Sequence, residues 1–187
     1  MPSFAIEFLR KGHALHFRCR HPEAVGLRVD VMTRMRGVDP FPKLWQRRTS
    51  LRLPDGAECD LLSLPDLVQA KKTQRDKDWP MLRRLVEAHY FDHRAKPSPT
   101  QIDFWLRELR TPEILIEIAQ TFSSRARQAA RGRPLLAHAI TRDPGQLEGA
   151  LEAEERAERD TDRSYWKPLK AELESLRRQR LGRGRMK

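Results

Sequence analysis

The sequence predicts an α+β fold: a small mixed or antiparallel sheet with flanking helices, followed by an all-α C-terminal region. Three observations carry this expectation. Short alternating apolar runs crowd residues 13–62, and alternation is strand spacing. Pro54-Asp55-Gly56 separates two of these runs; Pro presets φ and Gly tolerates positive φ, which makes the tripeptide a turn. From about residue 65 onward the apolar positions recur at intervals of three and four, the spacing of amphipathic helices.

Taken in order, residues 1–9 read as a short strand or a loose apolar arm, with Phe4, Ile6, Phe8 and Leu9. After a turn at Lys11-Gly12, residues 13–19 alternate Leu15 and Phe17 with His16 and Arg18, and residues 25–33 supply an antiparallel partner strand. Gly37 to Pro42 is punctuation, and residues 43–48 form a short helical piece. Residues 50–53 and 57–62 make a hairpin. A helix is expected over 65–72, with Ser63 and Asp66 in capping-box spacing. A basic loop spans 73–78, and Trp79-Pro80 opens a helix to residue 91, proline suiting a first turn. The Pro/Ser-rich stretch at 95–99 marks a boundary between residues 1–95 and 96–187. Helices follow over 100–109 and from Thr111, with further breaks at Gly132-Arg133-Pro134 and Asp143-Pro144-Gly145. Residues 147–158 are polar with little apolar face. A separate last helix carries Tyr165, Trp166, Leu169, Leu173 and Leu176.

The chain has 187 residues, 39% apolar and 34% charged, with a formal net charge of +11. A modest core under a heavily charged surface follows. The excess of cations points to anionic partners: nucleic acid, nucleotides or an acidic protein. Two cysteines, Cys19 and Cys59, make no disulfide framework. No apolar run approaches the ~18 residues of a spanning helix, and no basic-then-apolar leader precedes Glu7. A cytoplasmic location without membrane attachment is the expectation.

Two stretches carry candidate chemistry. Asp30 lies between Val29 and Val31; on a sheet face it is a candidate metal ligand or general base, since hard divalent ions take oxygen ligands. The bland reading is an edge-strand acid paired with Arg28. Lys71, Lys72, Arg75 and Lys77 cluster with Asp76 and Asp78 at a helix end. Such cations can neutralise phosphate oxygens, or compensate the helix dipole. His13, His16, Cys19 and His21 would point to different sides of a strand and do not converge on zinc, and His89 with His93 lacks a third ligand. Phosphate-loop, dinucleotide and nucleophile-elbow motifs are absent from the sequence. Arg125, Arg127, Arg131 and Arg133, and the tail with Arg177, Arg178, Arg180, Arg183 and Arg185, are candidates for nucleic-acid binding by counterion release.

The order of features, Asp30, then Arg36-Gly37-Val38-Asp39-Pro40-Phe41, Trp45 and Arg47-Arg48, then Cys59-Asp60-Leu61-Leu62-Ser63 and Pro65-Asp66-Leu67-Val68, then Lys71, Arg75, Lys77 and Asp78, resembles a known family. It is similar to the C-terminal part of small bacterial nucleotidyltransferases related to the toxin of type IV toxin–antitoxin systems, in the polymerase-β-like superfamily. The resemblance spans residues 13–92. It implies that Asp30 corresponds to a third catalytic carboxylate and metal ligand. Lys71, Lys72, Arg75 and Lys77 would face nucleotide phosphates, with Asp78 orienting them. The implied chemistry is transfer of a nucleotide from a nucleoside triphosphate to a hydroxyl, with two Mg²⁺ ions on the attacking and leaving oxygens. The family also has an upstream Gly-Ser motif and an Asp-x-Asp or Asp-x-Glu pair, which this sequence lacks before Asp30. The expectation is therefore a nucleotidyltransferase-like protein, catalytically incomplete in this chain. The alternative is a non-catalytic nucleic-acid-binding or antitoxin-like protein-interaction module.

Overall fold

The antiparallel pairs form where alternation placed them. In the computed structural model, which describes residues 6–184 and side chains through residue 179, β1 (Leu15–Arg18) pairs with β2 (Arg28–Val31), Leu15 opposite Val31 and His16 opposite Asp30. The second hairpin joins β3 (Thr49–Arg52) and β4 (Glu58–Leu61), Ser50 opposite Asp60. Its turn works as the residue types dictate: Gly56 takes φ +85°, and the Asp55 carboxylate accepts from the Ala57 N–H at 3.0 Å. The α+β expectation thus holds as two separate two-stranded sheets, with helices making up most of the rest.

Residues 1–5 of the expected N-terminal arm lie outside the described residues. The remainder is α1 (Ile6–Lys11), a helix and not a strand. Glu7 in its first turn and Arg10 and Lys11 in its last complement the helix dipole. Gly12, at φ +97°, closes it: its N–H reaches Leu9 O, and that of His13 reaches Phe8 O, both at 2.9 Å, a Schellman cap. Helix α2 (Phe41–Gln46) has Pro42 in its first turn and begins two residues before the expected start. Gly37 in the preceding loop has φ +67°, and a Cβ there would run into the Gln69 amide. Gly37→Ala is therefore expected to cost about 1–2 kcal/mol for the left-handed backbone alone, read as a lowered urea midpoint with unchanged slope.

Helix α3 (Leu64–Lys71) begins at the Ser63 cap, whose hydroxyl donates to Asp66 at 2.6 Å. Helices α4 (Asp78–His93), α5 (Pro99–Glu108), α6 (Pro112–Thr121), α7 (Ser123–Ala129) and α8 (Leu136–Ile140) follow. Ser98 and Gln101 form a reciprocal capping box at the start of α5. The last element corrects the sequence reading. Residues 144–184 form one helix, α9 (Pro144–Gly184), in place of a polar stretch and a separate helix. Pro168 interrupts its ladder without ending it, leaving the Ser164 carbonyl without the N–H four residues on.

The chain divides into two compact units: residues 1–70 with 164–187, and residues 71–163. The break read after residue 95 falls inside the second unit, where α4 and α5 pack together. That second unit holds most of the core. Trp79, Leu82, Val86 and Tyr90 of α4, Trp105 and Leu106 of α5, Leu115 and Ile118 of α6, Leu136 of α8 and Leu147 of α9 are all buried. In the first unit the buried side chains include Leu9, Leu44, Val68, His13 and Asp66. The apolar faces of both its hairpins stay substantially open, with Phe17, Val29, Val31, Leu51 and Leu61 exposed. Among the described residues no helix is long and apolar enough to cross a membrane.

Candidate functional site

Asp30 belongs to the first unit, and every residue of β2 is exposed. Its carboxylate accepts from Arg28 Nε at 2.7 Å and lies 2.6 Å from His16 Nδ1, across the strand pair. The Arg28 guanidinium, then His16, hold the carboxyl below its ordinary range. Among the described residues no three His, Cys, Asp or Glu side chains form a metal-ligand group. A two-Mg²⁺ centre needs several converging carboxylates, and the donor set around Asp30, one carboxylate between a guanidinium and an imidazole, does not fit it.

The Lys71–Asp78 cluster lies in the second unit, and the structure brings most of it together around carboxylates. Asp78, buried in the first turn of α4, accepts from Thr73 Oγ1 at 2.6 Å and from Arg75 Nε at 2.9 Å, with Lys71 Nζ 3.8 Å away. An acid at that position also suits the helix dipole. Gln74 N–H donates to Asp162 at 2.9 Å, Trp79 Nε1 donates to Thr73 O at 2.8 Å, and Arg159 pairs with Asp76. Lys72 turns inward instead: it is buried, 2.8 Å from Glu108 and 4.0 Å from Glu158. Lys77 is exposed.

Lys72 is part of a larger buried ionic network that sequence reasoning missed. Arg133, proposed as a nucleic-acid contact, is buried and forks onto Glu154 at 2.8 and 3.0 Å while donating to the carbonyls of Leu106 and Leu109. Arg110 lies 3.1 Å from Glu154 and 4.7 Å over the Trp79 ring; burial holds its guanidinium below its ordinary value against the pull of Glu154. Arg125 pairs with Asp103 at 2.7 Å, and Arg127 and Arg131 are exposed.

The second unit buries three of its cations against acids and comes close to charge balance, and the first does not. Residues 71–163 contain 18 Lys/Arg against 16 Asp/Glu, whereas residues 1–70 and 164–187 contain 19 against 10. The net charge of the chain is therefore concentrated in the first unit. Arg10, Arg18, Arg20, Arg34 and Arg52 are exposed there, as are Arg177 and Arg178 on α9, with Arg178 3.9 Å from Glu174. The side chains of Arg180 and Arg183, and all of Arg185, lie outside the described residues. No family model, curated protein or solved structure matches this chain. The resemblance to nucleotidyltransferases accordingly rests on the residues of 13–92.

The first unit also holds a groove of about 520 Å³ between the loop after β2, α2 and β4. Its rim carries Phe41, 66% exposed, and Trp45, 45% exposed. The sequence signal for it is Phe41 and Trp45, one helical turn apart on α2, with Arg48 just past the end of that helix.

Proposed function

We propose that this chain is a non-catalytic nucleic-acid-binding protein whose contact surface is carried by the first unit. The observation that supports the reading is the sorting of charge. Three cations of the second unit (Lys72, Arg110, Arg133) are buried in ion pairs and its acids nearly match its cations in number, while the first unit carries about two cations for every acid. Exposed Lys and Arg displace condensed counterions from a phosphate backbone, and that release drives binding with little regard to sequence. The transferase reading has less geometric support, because Asp30, Lys71, Lys72 and Arg75 are each engaged by neighbouring side chains within their own unit.

The test is fluorescence anisotropy of the full chain with labelled 20-nucleotide strands and duplexes between 50 and 200 mM salt. Five phosphate contacts give a log–log slope of about −3.5 on single strands and about −4.5 on duplex. Replacing Arg18 and Arg52 by Ser is expected to reduce the slope by about one each. Absence of binding at 50 mM salt would overturn the proposal. So would Mg²⁺-dependent binding of a nucleoside triphosphate that Asp30→Asn abolishes, which is the transferase's signature.

A further inference from the structure

Counterion release alone gives a single strand no advantage over a duplex, and the groove beside α2 has features that bear on that choice. Phe41 and Trp45 lie with ring centroids 5.6 Å apart at 32°. Arg48 Cζ sits 4.0 Å from the Trp45 ring centroid, held there by its Nε–H to Asp60 at 2.9 Å and its Nη1–H to Trp45 O at 2.9 Å. The guanidinium is therefore stacked and oriented before any partner arrives, which spares the ordering cost of a free arginine. Leu44, buried at the base of the groove, and the neighbouring Met35 and Leu61 give the rings an apolar bed.

Large aromatic rings this exposed, next to a stacked arginine on a strongly basic unit, are the composition of a base-stacking platform: π-faces for bases, cations for the strand that carries them. The two carboxylates at the groove do not spoil the charge match. Asp60 is engaged by Arg48 and Ser50, and Asp39 by Arg47 at 2.9 Å and Lys43 at 3.7 Å. We infer that this groove stacks unpaired bases of single-stranded nucleic acid on Phe41 and Trp45, so that the chain prefers single strands to duplex. A duplex keeps its base faces stacked on one another and has none to offer. The inference rests on the nucleic-acid reading and adds the strand state of the ligand and the residues that sense it.

The experiment compares the full-length wild type with Phe41→Ala, Trp45→Ala and Trp45→Phe. It uses one 20-nucleotide sequence as RNA, as single-stranded DNA and as DNA duplex at 50 mM salt. Both rings are well exposed, so the alanine variants keep the fold, checked by circular dichroism. Wild type is expected to bind the single strands more tightly than duplex. Each alanine variant loses about 10-fold on single strands and less than twofold on duplex, and Trp45→Phe retains most of the affinity. Equal losses on strand and duplex, or none on either, overturn the platform while salt-dependent binding keeps the nucleic-acid reading. No binding to any of the three sinks both. Unchanged strand binding with a changed sedimentation coefficient overturns it in favour of a second copy of the chain in the groove.

Discussion

Arg133→Met is expected to destabilise the second unit by about 3–5 kcal/mol, the range for removing one partner from a buried charge pair. Four hydrogen bonds end on this side chain: two to Glu154 and one each to the carbonyls of Leu106 and Leu109 at the C-terminal end of α5. Methionine fills most of the volume but offers no donor, leaving Arg110 as the main cation beside Glu154. Against a total stability of about 5–15 kcal/mol, this lowers the melting temperature by at least about 12 °C. The loss depends on pH. Burial pushes the Glu154 carboxyl up, but Arg133, Arg110 and Lys72 together bring it below its ordinary 4.5. A depressed carboxyl contributes stability that is present above its unfolded value and disappears as pH falls through the folded one. The deficit of the variant is thus largest above about pH 5 and shrinks in acid. Thermal unfolding at pH 7 and pH 4 measures both parts, and a loss below 1 kcal/mol at pH 7 would falsify the network's structural role.

The elements built from local chemistry were legible in the sequence. The Asp55-Gly56 turn, the alternation of β1 and β2 and the Ser63 cap each depend on residues within a few positions, and each is where those residues put it. Helix α1 was misread because Ile6 and Phe8 alternate over too short a run to separate strand from helix; the Gly12 cap was the better signal. Helix α9 was misread for another reason. Its inward stripe in the second unit runs through buried Leu147, Leu151 and Asp162 and half-buried Glu154 and Glu158, spaced by four, three, four and four. A search for apolar periodicity sees two leucines and then a polar face. The remaining three positions meet Lys72, Arg110, Arg133 and Gln74, so the period continues in charge where it stops in hydrophobicity.

The same effect hid the fate of the candidate site. Lys71 and Lys72 are adjacent in sequence, yet Lys72 is buried against Glu108 while Lys71 approaches Asp78 at the edge of the loop. Arg131 and Arg133 differ by two positions, and one is solvated while the other braces the end of α5. A cluster of cations in the sequence carries no label for which of them tertiary contacts will claim. What tertiary contacts leave outside in the first unit is a set of exposed cations in excess of its acids, and the proposed nucleic-acid contact rests on that excess.

Trp105→Ala tests the apolar half of the same unit, with an expected cost of about 3–5 kcal/mol. The indole is fully buried, meets Tyr90 edge-on at 5.1 Å, and donates its Nε1–H to His89 Nδ1 at 2.9 Å. Accepting that proton requires the His89 Nδ1 to be bare, and burial, the first cause, with His93 beside it holds the imidazole below its ordinary range. Trp105→Phe separates packing from hydrogen bonding. It keeps most of the ring volume and removes the N–H, which costs about 1 kcal/mol for the bond. Packing dominates if the alanine variant loses at least twice as much as the phenylalanine variant in urea denaturation. Equal losses would instead assign the stability to the Trp105–His89 bond, and the core of the second unit would then be polar in its apolar layer as well as in its ionic one.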